Sequence, residues 1–194
     1  WRDEATQAAA IAEADYAISG DVPVTGAMMR GAKQLKGVHK WGVGIDNFDL
    51  DTARELGIRI MRTTGSNAVP VAETALAMMM ATARGILPGH KGLERGEWLK
   101  GAVGQHCFML SGKTVGIVGL GYIGKSLARI LREKGYQGRL RAVGGLIADQ
   151  YAMARRVGFD EVQITAALAE RQPQDQWLYR ADWKEWDHRA RLAG

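Results

Sequence analysis

The chain is predicted to be an α/β protein built on parallel sheets, and three observations predict it. Short apolar runs alternate with segments of helical spacing from residue 3 to about residue 165. The run Val115, Ile117, Val118 carries no charge, as in a strand buried on both faces. It leads into Gly119, Gly121 and Gly124 in G-x-G-x-x-G spacing, and Leu127, Ala128, Ile130 and Leu131 follow at helical spacing. That order is strand, tight turn, helix, the frame in which such glycines hold a dinucleotide. Gly119 permits the turn, Gly121 lets a pyrophosphate approach the backbone, and Gly124 lets the helix pack on the strand. The amides from Tyr122 to Gly124 would face the phosphates, where the helix dipole favours negative charge.

The elements read in order as follows. Asp3 to Ala14 is rich in Ala, Glu and Gln and suits a helix. Ala17-Ile18-Ser19 reads as a strand ending at Gly20-Asp21. Thr25 can cap a helix carrying Met28, Met29, Ala32 and Leu35. Val38 to Val43 is the next strand and runs into Gly42-Val43-Gly44-Ile45-Asp46-Asn47. Leu50 to Leu56 is helical and stops at Gly57, before the strand Ile58 to Met61. Gly65-Ser66-Asn67 is a turn. Pro70 suits a first helical turn, and Val71 to about Arg84 is apolar nearly all round, which predicts a helix buried between two layers. Its methionines, Met78, Met79 and Met80, read as core filling. Gly85 to Gly112 reads as an irregular, glycine-rich arm. Beyond the glycine motif, 139–143 is a strand, 146–157 a helix and 161–164 a strand. Gln172-Pro173-Gln174 breaks the pattern before a tail with Trp177, Trp183 and Trp186, read as core or interface anchors rather than nucleic-acid platforms.

Composition narrows the function. The 194 residues are 46% hydrophobic, enough for a sizeable core. The net charge of +5 is spread along the chain without blocks, a solvated surface rather than a nucleic-acid footprint. Cys107 is the one cysteine, which excludes an internal disulfide framework and a cysteine-rich metal site and fits a reducing cytoplasm. The longest apolar run contains Glu73 and Arg84 and is too short to span a bilayer. The chain opens at Trp1, which reads as a fragment whose start lies upstream.

From about Val38 to Gly135 the chain resembles the NAD-dependent D-isomer-specific 2-hydroxyacid dehydrogenases. Three blocks carry the resemblance: Gly42-Val43-Gly44-Ile45-Asp46-Asn47-Phe48-Asp49-Leu50 with the following Ala53 to Ile58; Ser66-Asn67-Ala68-Val69-Pro70-Val71-Ala72-Glu73-Thr74; and Leu110 to Gly124. Together they cover about half of the chain. The resemblance implies an incomplete flavodoxin-like substrate-side domain and the start of a Rossmann parallel sheet, with a further β-α-β segment and a helical tail. The divisions expected are 1–69, a crossover helix and arm at 70–112, a Rossmann-like segment at 113–165, and a tail at 166–194. It implies NAD as cofactor, with NADP open, held by Gly119, Gly121, Tyr122, Ile123 and Gly124. It also implies a small 2-hydroxy or 2-keto acid as partner, its carboxylate met by backbone at Val43 and Gly44, with Asn67 lining the cleft. A homodimer is compatible with it. On its residues alone Asn67 reads as a turn residue.

Two features depart from that family. A ribose-holding acid should end the second strand, about 20 residues on in the usual pattern, where this chain has Ala142 or Gly144. Arg139 and Arg141 could meet a 2′-phosphate instead. The family's Arg, Glu and His for hydride transfer also find no match: no Ala-Arg-Gly follows Gly124, and the later histidine is His188 near the end. No catalytic residue and no metal ligand is therefore assigned. From Gly135-Tyr136 through Arg139 to Val143, Leu146 to Tyr151 and Gly158 to Val162, the chain resembles a different family, uncharacterised small proteins encoded beside sirohaem-dependent sulfite or nitrite reductases. A splice between about Gly119 and Gly135 is expected from this, with a loosely packed second half or few contacts across the join. Three readings stay open: a dehydrogenase fragment, a non-enzymatic dinucleotide-binding protein, and an interaction module or chimera in which the glycine motif is structural.

Overall fold

The computed structural model describes residues 3–181, and it divides after Asn67 into two units. Trp183, Trp186 and His188 lie outside the described residues.

In the first unit, three helices and three strands alternate: α1 (Glu4–Ala12), β1 (Tyr16–Ser19), α2 (Gly26–Gly31), β2 (Gly37–Lys40), α3 (Leu50–Glu55) and β3 (Arg59–Arg62). The strands are parallel in the order β1-β2-β3. Caps set the helix starts. The Asp3 carboxylate accepts from the Thr6 amide at 2.8 Å, Thr25 Oγ1 from the Met28 amide, and Asp49 from the Thr52 amide at 2.9 Å. The core joins the fully buried Val38 to Met29, Ala32, Leu35, Phe48, Ala53 and Ile58. The opposite row of the sheet holds Tyr16 and Ile18, 65% and 73% exposed. The second strand is shorter than expected and stops at Lys40 rather than Val43. Its partner β3 ends in register at Arg62, and Gly42 (φ +149°) turns the chain away, its amide donating to the Lys40 carbonyl.

The second unit runs α4 (Ala68–Ala83), α5 (Ile86–Glu94), α6 (Lys100–Gly104), β4 (Thr114–Val118), α7 (Tyr122–Glu133) and β5 (Arg139–Val143). A 3-10 turn (Ala148–Gln150), α8 (Tyr151–Arg156), β6 (Glu161–Gln163), α9 (Ala166–Arg171) and α10 (Gln174–Ala181) complete it. Its sheet is parallel in the order β4-β5-β6. Ile117, Leu140 and Ala142 pack with Leu127, Ala128 and Leu131 of α7 and with Ala72 of α4.

Several expectations are corrected. The strand before the glycines is covered on one face only, and Val118 is 85% exposed. Its row continues into Arg139, Arg141, Glu161 and Gln163, which alternate with buried Leu140 and Ala142. Strands buried on both faces run continuously apolar, whereas these carry the period-2 pattern of a half-exposed sheet. The α4 helix is likewise not buried all round: Ala72 is fully buried, but Val69, Met78 and Met80 are 55%, 60% and 45% exposed. Met78 and Met80 therefore do not fill the core, while Met79 packs at its margin. The arm is not irregular, since α5 and α6 lie within it. The 146–157 helix divides into the 3-10 turn and α8.

The expected weak contact across residues 119–135 is overturned. One hydrophobic core holds Ile117, Leu127 and Leu131 together with Leu140, Val157, Phe159 and Trp177. Arg132 clasps the two sides. Its guanidinium donates to the carbonyls of Gly158 (2.9 Å), Tyr136 (2.7 Å) and Gly138 (3.0 Å) and to the Asp160 carboxylate. Trp177 is a core anchor, 7% exposed, its indole N–H donating to the Gln172 carbonyl at 3.0 Å.

Candidate functional site

The glycine loop is shaped by its neighbours. Gly119 has φ +93°, which L side chains rarely adopt, and its amide donates to the Val143 carbonyl at 2.8 Å. This bond ties the loop to the end of β5. A Cβ on Gly124 would lie 2.6 Å from the Gly119 carbonyl oxygen and 3.1 Å from Ile117 Cγ2. Gly124 is thus a packing glycine. Gly121 differs, because a Cβ there would meet nothing within 4 Å. Among the described residues, packing demands no glycine at 121, and the open space lies at the N-terminus of α7. Among the described residues no side chain caps the first amides of that helix, which suits them to an anion. Tyr122 and Ile123 are 56% and 40% exposed beside the loop, and the Lys125 ammonium stands 5.1 Å from the Tyr122 ring centre. The cradle therefore fits a pyrophosphate.

The ribose end differs from the usual pattern. Ala142 is fully buried and faces the core. Gly144 has φ +142°, and its amide donates to the Gln163 carbonyl at 3.3 Å. The nearby acids are engaged elsewhere. Glu161 accepts from Arg141 Nε at 2.7 Å, Asp160 from the Leu140 amide at 2.7 Å and from Arg132, and Asp149 lies 2.9 Å from Arg180.

In the first unit, Val43, Gly44 and Asn67 all line one pocket of about 680 Å³, beside Lys40, Trp41 and Thr63. The turn after β2 thus meets the turn before α4 at a single cavity. Asn47 lines it too, but its Nδ2 donates to the Val22 carbonyl at 2.8 Å and serves the loop. Lys40 is the residue that sequence reasoning missed. It is 5% exposed, and its ammonium donates to the Gly20 carbonyl at 2.5 Å and to Asp21 at 3.0 Å. An ammonium has three N–H donors, so one stays available to the pocket. The signal was a lysine at the end of a buried strand, directly before Trp41 and the Gly42-Val43-Gly44 turn.

No described histidine lines this pocket. His39 Nε2 lies 3.0 Å from Thr63 Oγ1, and His90 lies 3.6 Å from Glu94. Among the described residues, no three His, Cys, Asp or Glu could hold a metal ion, and no helix is long and apolar enough to cross a membrane. The shifted carboxyls serve folding. Two hydrogen bonds from Thr52 hold Asp49 below the usual carboxylate range, and the Arg30 guanidinium does the same for Glu55.

Comparison with known proteins bears on both places. The model of the D-isomer specific 2-hydroxyacid dehydrogenase catalytic domain matches residues 2–171. Hydroxypyruvate reductase of Thermotoga maritima is 39% identical over 107 residues, 55% of this chain and 34% of its own length. The mitochondrial formate dehydrogenase of Solanum tuberosum is 39% identical over 109 residues, 56% of this chain and 29% of its own. The NAD-dependent formate dehydrogenase of Staphylococcus aureus, solved in complex with NAD, superposes with a TM-score of 0.66 at 32% identity. That match covers 74% of this chain and 44% of that one. The chain thus spans about a third of the length of these curated relatives and under half of the solved one. With the pocket turn and the glycine loop both inside the matched residues, the chain belongs to the D-isomer specific 2-hydroxyacid dehydrogenase family.

Proposed function

We infer that this chain carries the pyrophosphate-binding and carboxylate-binding parts of an NAD-dependent D-2-hydroxyacid dehydrogenase. It does so without the residues that perform the chemistry. The carrying observation is the contrast between Gly124, which packing requires, and Gly121, which packing does not. A glycine that packing does not require, at a helix N-terminus with no side-chain cap, suits a ligand phosphate approaching the backbone. Gly119, Gly121, Tyr122, Ile123 and Gly124 hold the NAD pyrophosphate in this reading. Bound NAD supplies the hydride acceptor. Val43 and Gly44 offer backbone to the carboxylate of a 2-hydroxy or 2-keto acid, with Asn67 beside it in the same pocket. In this reading the family's Arg, Glu and His find no match along the sequence. The chain therefore binds and does not turn over, which makes a non-enzymatic dinucleotide-binding protein the neighbouring reading. Half-buried Cys107 suits a reducing cytoplasm, and a homodimer is compatible with the exposed apolar residues of α4.

A second reading concerns origin. We also infer that the segment from about Gly135 comes from the family associated with sirohaem reductases, although the dehydrogenase match runs through it to residue 171. What supports it is the sequence resemblance of Gly135-Tyr136, Arg139 to Val143, Leu146 to Tyr151 and Gly158 to Val162. Calorimetric titration of NAD into the parent and Gly121→Val proteins tests the main reading. Binding by the parent and none by the variant is expected. Equal binding by both would remove the glycine loop from the account.

A further inference from the structure

We propose that the pocket between the C-terminal ends of α4 and α7 binds an amphipathic monocarboxylate. Arg84 and Lys134 meet its carboxylate, and Leu76, Met80 and Met109 take its hydrocarbon body.

The pocket, about 760 Å³, lies wholly within the second unit. Leu76, Met80 and Arg84 reach it from the second half of α4 and the residue after that helix. Met109 to Ser111 line it from the approach to β4, and Leu131, Lys134 and Tyr136 from the end of α7 and the turn to β5. Hydrogen bonds fix these walls. The Phe108 amide donates to the Ala83 carbonyl at 2.9 Å, which holds the approach segment against the end of α4. The Tyr136 amide donates to the Leu131 carbonyl at 2.9 Å, and its hydroxyl donates to the Lys113 carbonyl at 2.5 Å. The cavity is therefore preformed, as ligand pockets usually are. It lies at the N-terminal end of β4, whereas the glycine loop follows the C-terminal end of the same strand. Dinucleotides bind outside the carboxyl ends of such strands, so this pocket is separate from that site.

The lining has an apolar part and a cationic part. Leu76, Leu110 and Leu131 join Met80 and Met109, and Met109 is 69% exposed. A hydrocarbon laid on these side chains removes apolar surface from water, and unbranched, polarisable methionines adapt to its shape. Arg84 and Lys134 are the charged residues of the lining, and no described carboxylate lines the pocket. Neither side chain has an ion pair or hydrogen bond with a described residue. Arg84 directly follows the last residue of α4, and Lys134 is the C-cap of α7. Each of these helix ends carries roughly half a negative charge. Two unit cations against two such ends leave about one positive charge. That balance matches a single carboxylate and falls short of a phosphate dianion.

The test is calorimetry on the full chain with decanoate below its micelle concentration, and with decanol and acetate as the two halves of that molecule. Decanoate is expected to bind saturably, decanol about three- to tenfold more weakly, and acetate too weakly to detect. Arg84 and Lys134 are exposed, so replacing either leaves the core intact. Arg84→Gln and Lys134→Gln should each weaken decanoate about two- to fivefold and leave decanol unchanged. Met109→Asp should weaken decanoate and decanol alike, because it puts a carboxylate on the apolar wall. A parent that binds no decanoate overturns the proposal. So does decanol bound as tightly as decanoate, or a pair of glutamine variants that bind decanoate as the parent does. Sedimentation velocity adds a last arm. A parent that is a dimer, a Met109→Asp protein that is a monomer, and decanoate that leaves the dimer intact would give the pocket to a second copy of the chain and overturn the proposal.

Discussion

Replacing Gly124 by alanine should destabilise the second unit, while the same change at Gly121, the N-cap of α7, should cost less. The two glycines lie three residues apart on one loop, so the pair is internally controlled. A Cβ at 124 would stand 2.6 Å from the Gly119 carbonyl oxygen, inside the 3.0 Å that real Cβ atoms essentially never cross. The obstacle is backbone, fixed in turn by the bond from the Gly119 amide to Val143. Relief requires α7 to move away from β4 or the loop to shift. Overpacking of this kind costs about 1–3 kcal/mol. Alanine recovers up to about 1 kcal/mol of helix propensity, and less in a first turn. The net expectation is a loss of about 1–2 kcal/mol. At Gly121 the φ of −80° is open to any residue and no described atom would lie within 4 Å of a Cβ; the poorer N-cap that alanine makes and the unfolded-chain entropy it removes roughly offset, so stability should change by less than about 1 kcal/mol. Urea unfolding followed by circular dichroism reads both values, provided the slope of the transition is unchanged. A Gly124→Ala protein as stable as the parent would refute the packing role. The contrast that assigns Gly121 to a ligand would fall with it.

Three further outcomes are expected. Trp177→Ala should cost about 3–5 kcal/mol, because it empties a buried site and leaves the Gln172 carbonyl without its indole donor; denaturant unfolding checks it, and a near-neutral effect would detach α10 from the core. The first unit should lose stability in acid. Asp49 has a folded pKa depressed below its usual 3.8 by Thr52, so its contribution is present above that value and is lost as pH falls through the folded pKa. Thermal melts between about pH 2 and 6 should show this loss, reduced in Asp49→Asn. Finally, NADH absorbance with a panel of D-2-hydroxyacids should show no turnover by this chain, and a robust rate would mean that catalytic groups have gone unrecognised.

Much of this was legible in the sequence, for physical reasons that vary by element. The glycine loop was read because each glycine answers a separate constraint, and φ at Gly119 and the contact at Gly124 are those constraints seen in space. The caps Asp3, Thr25 and Asp49 mark helix starts by chemistry that acts within four residues. Burial was less legible. Met78 and Met80 belong to an apolar run, yet composition does not say which side of a helix finds a neighbour. The uncharged run at Val115 to Val118 suggested two covered faces, while the alternation in Arg139-Leu140-Arg141-Ala142 already pointed to one. Lys40 escaped notice because a lysine is ordinarily a surface residue, and its acceptors at Gly20 and Asp21 are 20 and 19 residues away. The core across residues 119–135 could not be foreseen, since Arg132 reaches Gly158 and Asp160 only once β5 and β6 are in place.

The central claim is that this family member holds a dinucleotide at the loop after β4. Amide chemical-shift mapping of the labelled chain during an NAD titration tests it most directly. Saturable shifts are expected at Gly119, Gly121, Tyr122, Ile123 and Gly124, spreading to Val143 and Gly144 through the Gly119 bond. Saturable shifts confined to other segments, with the loop amides unmoved, would contradict it.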